Sequence, residues 1–368
     1  MGIINNFKDE MTPKERSLAY ANNQEVDRIP TVLTCGETIP PLYNIKMKDY
    51  YFSSELMFQV EKLIASDFGS DNMGMGLGLR TIAESLGTKL KYTDNSVSYI
   101  DKPLIDDYKI LDNLEFTDIN KDGRLPIMLE AFKRLQDEYG NSHNIGTGAA
   151  GPLSTAAALR GTELLLKDTR KNKENLHKLL KFTTDNFINC AKQFYEQYGI
   201  CMSISEPIAS GSLISRKQFI EFELPYLKTV CSELEKIYKK APSLHICGKT
   251  NDRWDLIAES GISSFSIDDC ENMKSFKEEY GDKVGLSGNV RPVEIIKFGN
   301  VKEIEESVKS CIIDAGDNPK GFTLSPGCTT PMYTSKENLM TYMNAARKYG
   351  RRAKKGYIPR GTIENGEK

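Results

Sequence analysis

No apolar run in the 368 residues approaches the roughly 20 that a bilayer-spanning helix needs. The opening MGIINNFKDEMTPKER carries acidic residues early and no apolar h-region, so it is not read as a secretory signal. Met1-Gly2 is followed by Asn6 where a myristoylation signal has Ser or Thr. Charge of one sign is also missing. The 49 Lys and Arg face 51 Asp and Glu, and no global basic field calls for nucleic acid. No linker or low-complexity stretch divides the chain. These absences point to a cytoplasmic protein without a membrane or nucleic-acid partner.

What is present suits a globular protein with a sizeable core: 39% of residues are apolar and 27% charged. Length alone allows two or three ordinary domains, or one large α/β barrel. There are 8 cysteines. In a large chain without an export signal they are expected as reduced thiols, and Cys190, Cys201, Cys231 and Cys311 lie in apolar surroundings that suit plain packing.

Thr12-Pro13 predicts an N-cap with Pro at the first helical position. A strand follows at 30–34, a helix at about 54–66, and a β-hairpin at 88–100 with its turn at Asp94-Asn95. Beyond the hairpin, strands at about 143–147, 200–204, 243–247, 263–268, 283–287 and 321–325 alternate with helical stretches, including long ones at 171–198 and 215–239. Strand-then-helix alternation predicts parallel strands joined by crossover helices. Seven or eight such units predict a single closed (β/α)8 TIM barrel over residues 1–350, with 1–30 as an N-terminal arm and helix. Residues 351–368 are expected as a flexible basic tail, since seven Lys and Arg fall between Arg347 and Arg360.

His245 and Cys247 are two apart on a predicted strand, so both side chains point to one face while Leu244 and Ile246 point to the other. In a barrel, the inward face near the C-terminal end of a strand is where chemistry sits. Cys328 lies at the end of another strand, in Ser325-Pro326-Gly327-Cys328. Two thiolates and an imidazole favour Zn2+ over Mg2+ or Ca2+. Three protein ligands leave an exchangeable position, as in catalytic zinc sites. Asp269 is the first choice for a fourth ligand at rest and Asp268 the second, with the remaining carboxylate catalytic or orienting His245.

At these residues the chain resembles the uroporphyrinogen decarboxylase superfamily, and more closely its zinc-containing branch of methylcobamide:coenzyme M methyltransferases. The resemblance runs through MTPKERSLAYANNQEVDRIP, GAAGPLSTAAALRG, SEPIASGSLISRKQFIEFELPY, LHICGKT, GLSGNVRPVEI and GFTLSPGCTTPMYTSKENL. It implies a TIM barrel with its site at the barrel mouth and zinc held by His245, Cys247 and Cys328. It also implies methyl transfer between a corrinoid (cobalamin) carried by a partner protein and a small acceptor, such as the thiol coenzyme M or tetrahydrofolate. The reverse sense, demethylation of a small methyl donor, stays open. The decarboxylase branch holds its porphyrinogen with an arginine-rich N-terminal segment. Leu33-Thr34-Cys35-Gly36-Glu37 has no Arg, which argues against that chemistry. A superfamily enzyme acting without zinc and a non-catalytic corrinoid-protein partner with a structural zinc are the rival readings.

Further residues are placed at the mouth. Glu206, after strand 200–204, is a candidate for substrate contact or acid–base work, or for ordering its loop. Asn289 is a candidate hydrogen-bond donor to substrate, or a turn residue. Asn72, Met73, Gly148 and Tyr333 are candidates to line the cofactor pocket. Gly146-Thr-Gly-Ala-Ala-Gly151 spells G-x-G-x-x-G after a strand, but no partner acid follows at a second strand end, so a tight βα loop is expected there. His143 is read as structural and His177 as exposed.

Overall fold

The structure, a computed structural model, describes residues 8–364. Met1-Gly2 and residues 365–368 of the expected tail lie outside the described residues. Eleven strands occur among the described residues. They are β1 (Val26–Arg28), β2 (Asn72–Met73), β3 (Lys89–Lys91), β4 (Tyr99–Lys102), β5 (Asn144–Ala150), β6 (Cys201–Ser205), β7 (Ser243–Ile246), β8 (Ser264–Ile267), β9 (Gly285–Val290), β10 (Phe322–Pro326) and β11 (Arg351–Ala353). Seven of them form one parallel sheet in the order β10-β9-β8-β7-β6-β5-β2.

The predicted strand at 30–34 is what closes this sheet into a barrel. On one side, Val32 N donates to Leu324 O at 3.0 Å and Leu324 N to Pro30 O at 2.9 Å, beside a parallel bridge from Thr31 to Leu324. On the other side, Asp71 N donates to Thr31 O at 2.9 Å and Leu33 N to Ser70 Oγ at 3.0 Å. Pro30 has no N–H to give, and the segment forms only an isolated bridge rather than a full ladder. The architecture is the expected α/β TIM-type barrel.

Strand alternation sorts the side chains. Met202, Ile204, Leu244, Ile246, Phe265, Ile267 and Leu286 are buried against the helices. The positions in register with His245 on the inner side are small: Ser205 on β6, Ser266 on β8 and Ser287 on β9. TIM interiors usually stack branched apolar side chains. Here the packed core lies between strands and helices, and the axis is lined by hydroxyls and glycines.

The first helix, Pro13–Ala21, starts as expected, with a capping box between Thr12 and Glu15. The hairpin is β3 paired antiparallel with β4. One long helical prediction breaks and the other holds. The stretch at 215–239 divides at Glu223 into Arg216–Phe222 and Leu224–Tyr238, with Pro225 in the first turn of the second helix. The stretch at 171–198 is Lys173–Tyr198, preceded by a separate helix Thr162–Lys171 with Asn172 between.

The expectation of a flexible tail is corrected. β11 pairs antiparallel with β1, and Arg360–Glu364 forms a short helix in which Gly361 and Thr362 are buried. Arg347, expected on a solvated basic end, is buried. It belongs to a network of three Arg and three Asp beneath the barrel. Arg16 Nε reaches Asp27 at 2.7 Å, Arg28 reaches Asp9 at 2.8 Å and Asp71 at 2.6 Å, and Arg347 reaches Asp9 at 3.1 Å. Arg16 also pairs with Asp71. A charge so buried needs its partner, and composition alone hides that both chain ends contribute to one cluster.

Candidate metal centre

His245 sits on β7 with its side chain inward; Cys247 follows one residue past the strand. The turn after Cys247 is possible because Gly248 adopts φ +72°, where an added Cβ would also lie 2.7 Å from Ser210 Oγ. Cys328 follows the end of β10 by two residues. Gly327 lets that turn press on the loop after β8, since a Cβ there would stand 2.7 Å from Asp269 Cβ. The glycine beside each cysteine therefore has its own steric reason.

The three side chains converge as expected. His245 Nε2 lies 3.1 Å from Cys247 Sγ, and Cys247 Sγ lies 3.6 Å from Cys328 Sγ. One donor atom from each lies within 4.8 Å of the others. On its far side, the imidazole Nδ1 is 3.0 Å from Ser266 O and 3.1 Å from Ser266 Oγ. An Nδ1–H donated to that carbonyl leaves Nε2 free as a lone pair facing the sulfurs.

The electrostatics couple the three groups. Hydrogen bonding from Cys247 pulls the Cys328 thiol down to about 4; burial works against that and His245 works with it. The same contact and burial push Cys247 up. Burial disfavours an imidazolium at His245, but the Cys328 sulfur outweighs it and the pKa is raised. Three donor groups this close compete for protons, and a divalent ion binds such a set by displacing them.

The carboxylates stand beside this cluster rather than in it. Ile246 pairs with Ile267, so Cys247 and Asp268 are lateral neighbours at the strand tips. Asp268 Oδ1 accepts from Cys270 N at 3.0 Å. Asp269 packs over Gly327 next to Cys328, and burial, together with Asp268, raises its carboxyl to about 6. Neither carboxylate joins the three-atom group among the described residues.

Several other candidates stand apart from the three-atom group. Glu206 follows β6 in the phase of Met202 and Ile204, so it turns to the helical layer and is fully buried. Its carboxyl accepts from Leu153 N at 3.0 Å, Ser154 N at 2.8 Å and Ser154 Oγ at 2.6 Å, which caps the helix Pro152–Arg160. Burial raises it to about 7 against those donors. Its loop-ordering alternative is the one the geometry displays. The same contact disposes of the G-x-G-x-x-G signal. The helix N-terminus that would cradle a phosphate is already filled by Glu206, and a Cβ at Gly151 would stand 2.3 Å from its Oε1.

Asn289 Nδ2 donates to Asp268 O at 3.1 Å and Glu271 O at 3.0 Å, so its donors brace the β8 loop instead of facing substrate. Asn72 pairs in register with Asn144, the first residue of β5, and so sits at the entry end of the strands, away from the mouth. Met73, one step on, is buried facing outward. Gly148 lies on the inner wall, where a Cβ would stand 2.8 Å from Ser203 Oγ. Tyr333 is at the rim, 60% exposed, with its hydroxyl donating to Asn95 O at 3.3 Å in the hairpin turn. His177 is half-exposed, 2.7 Å from Tyr226 Oη, and His143 Nδ1 lies 2.8 Å from Ser142 Oγ.

Ser266 was not singled out from the sequence, although the alternation in Ser264-Phe-Ser-Ile-Asp268 already put it on the inward face. Glu223 was missed as well. It is fully buried, and neither carboxyl oxygen has a partner among the described residues.

The fold and site define a (β/α) barrel with two thiols and an imidazole gathered at the C-terminal mouth. The family model described as uroporphyrinogen decarboxylase (URO-D) matches residues 12–349, and the chain belongs to that family. It is 25% identical over 346 residues to the methylcobamide:CoM methyltransferase MtbA of Methanosarcina acetivorans, covering 92% of this chain and 99% of that one. It is likewise 25% identical over 346 residues to a methylated-thiol–coenzyme M methyltransferase of Methanosarcina mazei, covering 92% of this chain and 90% of that one. A solved methyltransferase from Methanosarcina mazei has the same fold, with a TM-score of 0.80 at 24% identity over 92% of this chain and 98% of that one. No helix among the described residues is long and apolar enough to cross a membrane.

Proposed function

We propose that this chain is a zinc-dependent, corrinoid-dependent methyltransferase. It moves a methyl group between a methyl-corrinoid, carried by a partner protein, and a small acceptor at the barrel mouth. The observation that carries the reading is the convergence of His245 Nε2, Cys247 Sγ and Cys328 Sγ within 4.8 Å. Two thiolates and a neutral imidazole suit Zn2+, and an incomplete protein set leaves room for an exchangeable ligand. When bound, such an ion supplies the positive charge that lowers the pKa of an acceptor thiol from about 8.5 and makes it a thiolate at neutral pH. The names of the relatives support the reaction class, since they move methyl groups to coenzyme M.

The chain's own residues supply orientation. Ser266 fixes the imidazole so that Nε2 faces the sulfurs. Asp269, held near 6, stands beside Cys328 as a fourth ligand at rest or as an acceptor for the proton an incoming thiol releases. Asn289 and the Asx turn at Asp268 keep the carboxylate loop against the site.

The test is zinc content in the wild type and in Cys247→Ala and Cys328→Ala, followed by transfer from methylcobalamin to coenzyme M, other thiols and tetrahydrofolate. The expected result is one zinc per chain, lost in both variants, and transfer to at least one acceptor. A wild type that takes up no zinc after repletion overturns the reading.

A further inference from the structure

Cys247 Sγ and Cys328 Sγ stand 3.6 Å apart, although 81 positions separate them in the chain. A disulfide needs about 2.05 Å between its sulfurs, so the pair lacks only about 1.5 Å of side-chain movement. Both residues are half-buried, and a small solute in the mouth reaches them. They do not sit on neighbouring strands: β8 and β9 lie between β7 and β10 in the sheet. A bond here would tie the two ends of a four-strand arc across the mouth.

The remaining cysteines are placed differently. Cys35, Cys190, Cys231 and Cys311 are buried in the hydrophobic core. Cys201 is the first residue of β6, at the far end of the barrel. Cys270, exposed in the loop after β8, is the accessible rival at the mouth. A thiolate oxidised by a hydroperoxide becomes a sulfenic acid, which condenses with a second thiol where one is at hand and otherwise oxidises further. Whichever of Cys247 and Cys328 reacts first, the other is the second thiol at hand.

We propose that Cys247 and Cys328 are a dithiol–disulfide pair, closed by a hydroperoxide when no metal is bound and reopened by a dithiol. In the first step one sulfur attacks the peroxide, an S–O bond forms and the O–O bond breaks. The proton that this thiol gives up goes to the departing alkoxide, or to hydroxide when the oxidant is hydrogen peroxide. In the second step the other sulfur attacks the sulfenic sulfur, the S–S bond forms, and the sulfenic hydroxyl leaves as water with the second thiol's proton. Two thiols have then lost two electrons and the peroxide has gained them. A dithiol reverses the bond by two exchanges and is itself left as a disulfide. Metal binding needs thiolates, so the cross-linked chain keeps only His245 of the three ligands. That last consequence rests on the function proposed above; the bond itself does not.

The experiment treats the full-length chain, reduced and stripped of metal, with hydrogen peroxide. Free thiols counted in denaturant should fall by two per chain from the original 8. Peptide mass mapping should find Cys247 joined to Cys328, at a rate that does not depend on protein concentration. Cys270→Ser should cross-link as the wild type does, whereas Cys247→Ser and Cys328→Ser should form no cross-link. The cross-linked chain should take up no zinc until dithiothreitol restores both thiols and the uptake together. Persistence of both thiols, their conversion to sulfinic acids without a bond, or a linkage through Cys270 or between chains overturns this inference alone. A fully reduced chain that takes up no zinc overturns the function, while the peptide map still decides the bond.

Discussion

Ser266 holds His245 twice, through its main-chain carbonyl at 3.0 Å and its hydroxyl at 3.1 Å from Nδ1. Outer partners of metal-bound imidazoles typically change affinity by about 10–100-fold. Ser266→Ala removes only one of the two acceptors, so the low end applies. Zinc affinity should fall about tenfold, measured by competition with a chelator, with no change in thermal midpoint. An unchanged affinity would mean that the carbonyl alone sets the ring.

Gly151 and Glu206 form a second pair that substitution can probe. Gly151→Ala puts a methyl 2.3 Å from Glu206 Oε1 and should destabilise the fold by about 1–3 kcal/mol. Glu206→Ala removes the cap from three donors and should cost about 1–2 kcal/mol. In the double variant the contact with Glu206 is gone and only that with Ile204 Cγ2 at 2.8 Å is left, so the two costs should be sub-additive. Strict additivity in denaturant titrations would refute the steric reading.

Glu223 predicts the direction of a pH effect. Burial, then the nearby Glu206, raise its carboxyl well above the ordinary 4.5. An acid raised in the folded state stays protonated there while the unfolded chain ionises, so wild-type stability falls as pH climbs above about 4.5. Glu223→Gln removes that loss. The variant should match wild type near pH 4 and exceed it by about 1 kcal/mol or more at pH 8, since a tenfold change in an ionisation equilibrium is worth about 1.4 kcal/mol. A stability gap that does not grow with pH would show that Glu223 finds a partner when ionised.

The Arg28–Asp71 contact of 2.6 Å anchors the barrel-closing segment, because Asp71 also accepts from Thr31 N at 2.7 Å. Arg28→Ala takes from both Asp9 and Asp71 a buried guanidinium, leaving Arg347 to Asp9 and Arg16 to Asp71. It should cost about 3–5 kcal/mol, read as a displacement of the denaturant midpoint, and should be insensitive to moderate salt. A loss below about 1 kcal/mol, the range of exposed ion pairs, would place the network's role elsewhere.

Much of the fold was legible because strand period and crossover spacing repeat along the chain. His245 and Cys247 were legible for the same reason: their two-residue spacing puts both on the inward face wherever the strand begins. The phase of Glu206 was not, because a single residue past a strand end decides whether a carboxylate faces the lumen or the helices, and boundaries are the least certain part of a periodic pattern. Asn72 was misplaced for a related reason. β2 has only two residues, so alternation had nothing to register against, and only its pairing with Asn144 shows that it lies at the far end. Arg347 gave no sign of burial, since its partner Asp9 lies 338 positions away.

The closing contacts at Thr31 also constrain how the chain is made. Leu324, their partner, emerges from the ribosome about 290 residues later. Until Leu324 is made, that side of the N-terminal segment has no neighbour, and the cluster that seats it lacks Arg347 until later still. A nascent chain of this protein is therefore an open, unsealed sheet for most of its translation. Completion of the cylinder waits on β10 and Arg347, and truncation ahead of them should leave a protein that is synthesised but stays a client of chaperones.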